Sequence, residues 1–254
     1  TMLEGPLHPG GTDATADLLD RADVGPDTRV LDVGCGEGAL TRVLREESSG
    51  EVVGCDRDAG LLAELEGPTV QGDAYCLPFA EGRFDLVVCQ ALLINLPEPG
   101  RAIEEFARVS RDLVACIEPD NGAVTIESSV ESEGRLAGQA RRRYLAGVDT
   151  DVELGSDAAD LLRSAGLSDV TTTRYEQTLA IEPPYSDADV TAVGRKASGA
   201  GLRDRRATMA GSEEALDSLR AAWREMGREA ARQLKRGEYR REETVPFYVT
   251  VGRL

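Results

Sequence analysis

The positions of this chain best equipped for chemistry form one short run, Val30-Leu31-Asp32-Val33-Gly34-Cys35-Gly36-Glu37-Gly38. An apolar strand pattern enters a loop with glycines at two-residue spacing, and a helical pattern follows. Glycine is required where the backbone turns to positive φ or where a ligand approaches more closely than a Cβ permits. The helix behind such a loop presents unpaired N–H groups to the anionic part of a ligand. The spacing is G-x-G-x-G, whereas the dinucleotide fingerprint is G-x-G-x-x-G. Glu37, inside the loop, would repel a pyrophosphate. Asp32, at the end of the strand, suits a ligand carrying positive charge.

A sulfonium amino acid meets both demands, with an ammonium for Asp32 and a carboxylate for the loop amides. The downstream residues extend the same site. Asp56 ends the second strand, where an acid accepts hydrogen bonds from ribose hydroxyls. Gly72-Asp73-Ala74 follows the third strand and offers a carboxylate to an adenine amino group. Gln90 and Ala91 close the central strand Phe84–Gln90. Ligands of open α/β sheets sit over these carboxyl ends.

Taken together these segments resemble the class I S-adenosylmethionine-dependent methyltransferases, in the group described as methyltransferase type 11 or ubiquinone-biosynthesis-like. The resemblance spans roughly residues 7–181 and the last strand. It implies that Asp32, Gly34, Gly36 and Gly38 hold the methionine moiety, with Cys35 between them also in the cofactor site. It further implies that Asp56 and Arg57 meet the ribose and an adenine face, while Asp73 and Ala74 meet the adenine edge. The fold it implies is α/β, a Rossmann-like seven-stranded, mostly parallel sheet with an antiparallel last strand. Where many members carry histidine, this chain has Asn95.

The elements that must position these groups are legible from periodicity. Strand patterns occupy Arg29–Val33, Glu51–Cys55, Thr69–Gln71, Phe84–Gln90 and Leu113–Glu118, with helices at Gly38–Glu47, Ala59–Leu65 and Arg101–Ser110 between them. Near-continuous apolar strands alternating with helices specify a parallel sheet covered on both faces. Thr12 and Ser156 read as helix caps, Gly166 as a helix terminator, and Val170–Ile181 and Val245–Val251 as late strands. Residues 1–121, 156–181 and 244–254 are assigned to the core, and 122–155 and 182–243 to helical cap insertions. The first insertion contains a helix near Arg135–Gly147. The second contains an amphipathic helix from Ser212 to Gly237, whose stripe of Leu216, Leu219, Trp223, Met226, Ala230 and Leu234 reads as packing onto the core.

Methyl transfer from a sulfonium is an in-line displacement with a neutral leaving group, so the protein mainly positions the acceptor and excludes water. A base is needed only if the acceptor keeps its proton. Both insertions start from strand ends on the cofactor side and are expected to form a lid. Candidate substrate contacts are Asn95, Glu118 and Asn121. Glu118 and His8, the single histidine, are also candidates for a base, with a loop role as the alternative for each. Arg141, Arg142 and Arg143 read as a solvated helix face, or alternatively as a site for an anionic acceptor. No metal site is expected.

A net charge of −17 disfavours nucleic-acid partners, whose phosphates require a positive surface. It points instead to a small-molecule acceptor. Of the 29 basic residues only Lys196 and Lys235 are lysine, and abundant acid with scarce lysine suggests a high-salt cytoplasm that screens self-repulsion. No stretch is apolar enough for a membrane span, and the start of the chain shows no leader pattern. The five cysteines form no C-x-x-C pair and read as buried free thiols. Two other readings stay open: a methyltransferase acting on protein or RNA, and a cofactor-binding protein without turnover.

Overall fold

In a computed structural model the chain is described at residues 11–48 and 50–254. His8 lies outside the described residues, as does the side chain of Thr12. The chain divides into two units. The described residues of the core unit are 11–48, 50–121, 150–177 and 246–254; those of the cap unit are 122–149 and 178–245. The breaks between the units fall at 121/122, 149/150, 177/178 and 245/246. Two of these breaks fall inside strands, within β7 and β8.

The core unit begins with α1 (Gly11–Arg21) and then alternates β1 (Val30–Val33), α2 (Ala39–Glu47), β2 (Val52–Asp56), α3 (Ala59–Leu62), β3 (Thr69–Gln71), β4 (Phe84–Gln90), α4 (Pro99–Val109) and β5 (Ser110–Pro119). β1 is buried at all of its positions, and β2 and β4 at nearly all, because helices cover both faces. The cap unit supplies β6 (Thr125–Ser128) and α5 (Glu133–Leu145). The chain then returns to the core for α6 (Ala158–Ser164) and the start of β7 (Ser168–Ile181). The cap unit is completed by α7 (Asp187–Ser198), α8 (Ala200–Asp204), α9 (Glu213–Lys235) and the first half of β8 (Arg241–Arg253).

The sheet has eight strands in the order β3-β2-β1-β4-β5-β8-β6, with β7 paired to β8. The β3-β2-β1-β4-β5 run is parallel; β8 is antiparallel to β5 and to β6. The fold is therefore the expected mostly parallel Rossmann-like sheet with an antiparallel last strand, and β6 is the strand the sequence pattern does not announce. The order reverses between β1 and β4. Register places Val33 opposite both Cys55 and Cys89, so the tips of β1, β2 and β4 share one edge. That edge is the crevice where such sheets bind ligands.

The core packs Leu31, Val87, Ile103, Phe106 and Ile117 with essentially no solvent exposure. In the cap unit, α9 turns Leu216, Leu219, Met226 and Ala230 into a separate cluster with Leu136, Ala140 and Val193. The stripe thus packs within the cap's own core rather than onto the sheet's. Gly227 makes this possible: a Cβ there would lie 2.4 Å from the Ala197 amide nitrogen of α7. The capping box of Ser186 and Asp189 starts α7, one of two helices that the sequence reading of this insertion passes over. Ser212 caps α9, its hydroxyl accepting from the Ala215 amide at 3.3 Å.

Candidate functional site

The loop after β1 follows from its glycines. Gly34, Gly36 and Gly38 all sit at positive φ, but for different reasons. A Cβ on Gly34 would lie 2.7 Å from Leu92, and one on Gly38 would lie 2.2 Å from Leu65. Those two glycines permit packing. A Cβ on Gly36 would meet nothing within 4 Å. Gly36 alone faces open space at the crevice edge.

The loop amides are mostly committed to the protein. Gly34 and Cys35 donate to the Cys55 carbonyl (2.7 and 3.1 Å), and Gly38 donates to Cys35 (2.8 Å). The Gly36 amide donates to the Asp56 carboxylate at 2.9 Å. The other Asp56 oxygen accepts from the Asp58 amide at 2.9 Å. The tip of β2 therefore shapes the glycine loop directly. This revises the expectation that the loop amides face a ligand as a set.

Asp32 is 1 % exposed. Its carboxylate accepts from the Thr41 hydroxyl at 2.6 Å and from the Thr41 backbone amide in the first turn of α2. Burial pushes the carboxyl up to about 7, and the nearby Asp56 adds to this; Thr41 and Arg45 pull the other way. Asp32 is therefore a buried group poised between its charged and neutral forms. Its contact with Thr41, nine residues along, is a partner that sequence reasoning missed, although a hydroxyl in the first turn of the following helix was the available signal.

Around this centre the remaining predicted residues occupy the same edge. Arg57 is exposed, and its carbonyl accepts from the Gln71 side chain at 3.0 Å. The Gly72 amide donates to the Asp56 carbonyl at 3.0 Å, and a Cβ on Gly72 would lie 2.8 Å from Cys55 Sγ. Asp73 is exposed and accepts from the Tyr75 amide at 2.9 Å, forming a local turn, while Ala74 packs against the core. Cys35 is half-buried, and burial with the neighbouring Asp32 and Asp56 pushes its thiol up to about 12, which removes it as a nucleophile.

The end of β4 carries the strain. Ala91 has φ of 49°, a conformation costing about 1–2 kcal/mol for a residue with a Cβ. Glu118 holds the turn that follows. Its carboxylate accepts from the amides of Leu92 (3.1 Å), Leu93 (2.9 Å) and Ile94 (3.4 Å), with Cys89 Sγ at 3.7 Å. Glu118 is fully buried within β5. Burial raises its carboxyl to about 7 despite these donors. This corrects the expectation of a carboxylate at the mouth of the sheet, available to substrate or as a base. It positions the backbone beside Gln90 and Ala91 instead.

Two other expected substrate contacts are also engaged by the backbone. The Asn95 side chain donates to the Ala91 carbonyl at 2.8 Å, bracing the same turn. The Asn121 side chain donates to Val152 at 2.8 Å. Among the described residues, no group of three or more His, Cys, Asp or Glu is arranged to hold a metal ion, and no helix is long and apolar enough to cross a membrane.

Comparison with known proteins places this edge in context. Residues 31–116 match the family described as the methyltransferase domain. The demethylmenaquinone methyltransferase of Beutenbergia cavernae is 36% identical over 98 residues, which are 37% of this chain and 40% of that protein. The chain thus spans about two fifths of the length of such curated relatives. Among solved structures, a candidate methyltransferase from Bacillus halodurans C-125 superposes with a TM-score of 0.56 at 16% identity, covering 94% of this chain and 97% of that one. The YcgJ protein from Bacillus subtilis gives 0.54 at 15% identity, covering 94% and 97%. These structures share the fold.

Proposed function

We propose that the chain is an S-adenosylmethionine-dependent methyltransferase acting on a small molecule. The observation that carries this reading is Gly36, whose open Cβ position is held by Asp56 within the residues that match the methyltransferase domain. Bound there, S-adenosylmethionine would supply a methyl activated by its sulfonium.

In this reading Asp32 supplies the negative charge facing the ligand's ammonium, directly or through water, and the backbone at Gly34, Cys35, Gly36 and Gly38 forms the cradle. Asp56 and Arg57 meet the ribose and one adenine face. Gly72, Asp73 and Ala74 line the adenine edge, and Gln90 and Ala91 close the site at the end of β4. Glu118 and Asn95 fix the turn beside Ala91, so their contribution is positional. No side chain is assigned as a base, which an acceptor already deprotonated at working pH does not require.

The small-molecule acceptor is supported by the demethylmenaquinone activity named for the curated relatives and by the net charge of −17, which disfavours a nucleic-acid substrate. The same acidic, arginine-rich composition supports a high-salt cytoplasm as the working compartment. The test is turnover: in concentrated salt, the chain given S-adenosylmethionine and a metabolite extract should release S-adenosylhomocysteine. Release only with protein or RNA fractions would favour a macromolecular acceptor, and tight binding without release would favour a non-catalytic protein.

A further inference from the structure

The cap unit holds a cavity of about 80 Å3, lined entirely by its own residues. Its charged wall is built around two buried acids. Glu133 receives Lys196 Nζ at 2.7 Å and Arg241 Nε at 3.1 Å, while the Tyr239 hydroxyl donates to it at 2.9 Å. Glu243 receives Arg241 Nη2 at 2.6 Å. Both carboxylates are therefore engaged by Lys196 and Arg241.

Arg141, on α5, is a third cation and is only 8 % exposed. Its guanidinium donates to the Val124 carbonyl, and its nearest carboxylate, Glu243, lies 3.9 Å away, beyond hydrogen-bond length. A guanidinium carries five N–H donors. The buried cluster around Glu133 and Glu243 thus holds one more cation than it has acids, and Arg141 is the cation held least closely, its ion pair with Glu243 being long at 3.9 Å. A buried charge left so is costly, and it is unexpected in a chain with a net charge of −17. Arg205, which has partners of its own, adds further positive charge to the lining. The remaining wall is apolar, with Ile126, Ile181, Leu202 and Trp223.

We propose that this cavity binds a small organic monoanion, its carboxylate on Arg141 and its apolar body against Leu202 and Trp223. The small cavity and its excess of positive charge fit a carboxylate on a chain of two or three carbons. This site is independent of the cofactor reading, because every residue in it belongs to the cap unit.

Trp223 is the chain's single tryptophan and lines the cavity, so its emission reports occupancy. The experiment titrates the full chain, at matched salt and without any S-adenosyl ligand, with acetate and propionate and with their neutral amides. The expected result is a saturable change for the carboxylates and a response at least about tenfold weaker for the amides. Arg141→Met should weaken carboxylate binding roughly ten- to hundred-fold. If that variant does not fold, the contrast between acid and amide on the native chain still decides. Equal response to acids and amides, no saturation by either, or unchanged binding in a folded Arg141→Met chain would overturn the proposal.

Discussion

The Gly36 amide donates to the Asp56 carboxylate across 2.9 Å, tying the loop after β1 to the tip of β2. Gly36 is also the loop glycine whose missing side chain leaves open space. One acid therefore sets the shape of the ligand cradle while standing at the strand tip where a ribose would lie. Asp56→Ala removes the acceptor for both Gly36 and Asp58 and is expected to weaken S-adenosylhomocysteine roughly ten- to hundred-fold. Asp56→Asn, which keeps one acceptor oxygen, should lose less. Calorimetry on both variants checks the order, and equal losses would separate the loop's shape from the effect.

Cofactor affinity should depend on pH through Asp32. Burial holds its carboxyl near 7 in the free protein, and a ligand ammonium favours the ionised form. Affinity for S-adenosylhomocysteine should therefore rise from pH 6 to 8 and then level off. Asp32→Asn should bind more weakly and show a flat profile. An unchanged slope in that variant would remove Asp32 from the ligand's field.

Stability should follow the opposite course. Asp32 and Glu118 both have raised carboxyls in the folded state, near 7, against ordinary values near 4 in the unfolded chain. Between those values the folded protein binds more protons, so stability falls as pH rises from about 4 to about 7. Each group contributes on the order of 4 kcal/mol over the window. Urea midpoints should fall across this range, and Glu118→Gln should flatten the fall. Glu133, whose carboxyl is lowered by Lys196 and Arg241 against the pull of burial, acts in the reverse sense below the ordinary carboxylate range. The contribution of these groups to stability should therefore be greatest near pH 4.

Salt should raise the melting temperature. Most ion pairs outside the Glu133 cluster are surface pairs such as Arg101–Glu98 and Arg163–Asp160, which water and salt screen strongly. They do not offset the repulsion of a −17 chain. Screening by molar salt should therefore stabilise the fold by several degrees in a thermal melt. A melting point indifferent to salt would refute the high-salt reading.

How much of this was legible in the sequence depended on how local each signal is. The parallel strands announce themselves because burial on both faces writes Val30–Val33 and Phe84–Gln90 as continuous apolar runs. β6, only Thr125–Ser128, is too short for its alternation to stand out. Glu118 looked like a loop acid because nothing in the sequence reveals that β5 continues through Pro119 and that the carboxylate turns toward the Leu92–Ile94 amides. Arg141 and Arg142 are neighbours with opposite fates, one buried and one exposed, because helical geometry turns adjacent residues to different faces. Lys196, buried beside Glu133, and Lys235, exposed on α9, show that the rarity of lysine in this chain does not by itself mark a site.

The central claim is that an adenosyl sulfonium lies over Gly36. Isothermal titration of the folded chain with S-adenosylhomocysteine in concentrated salt measures this directly, alongside a Gly36→Leu variant whose side chain would fill the open space. The account predicts saturable binding with one site per chain, weakened about a hundredfold or more in the variant, while its melting temperature falls only by the few degrees that a side chain at positive φ costs. Absence of binding by the native chain, or equal affinity in a folded Gly36→Leu chain, would contradict it.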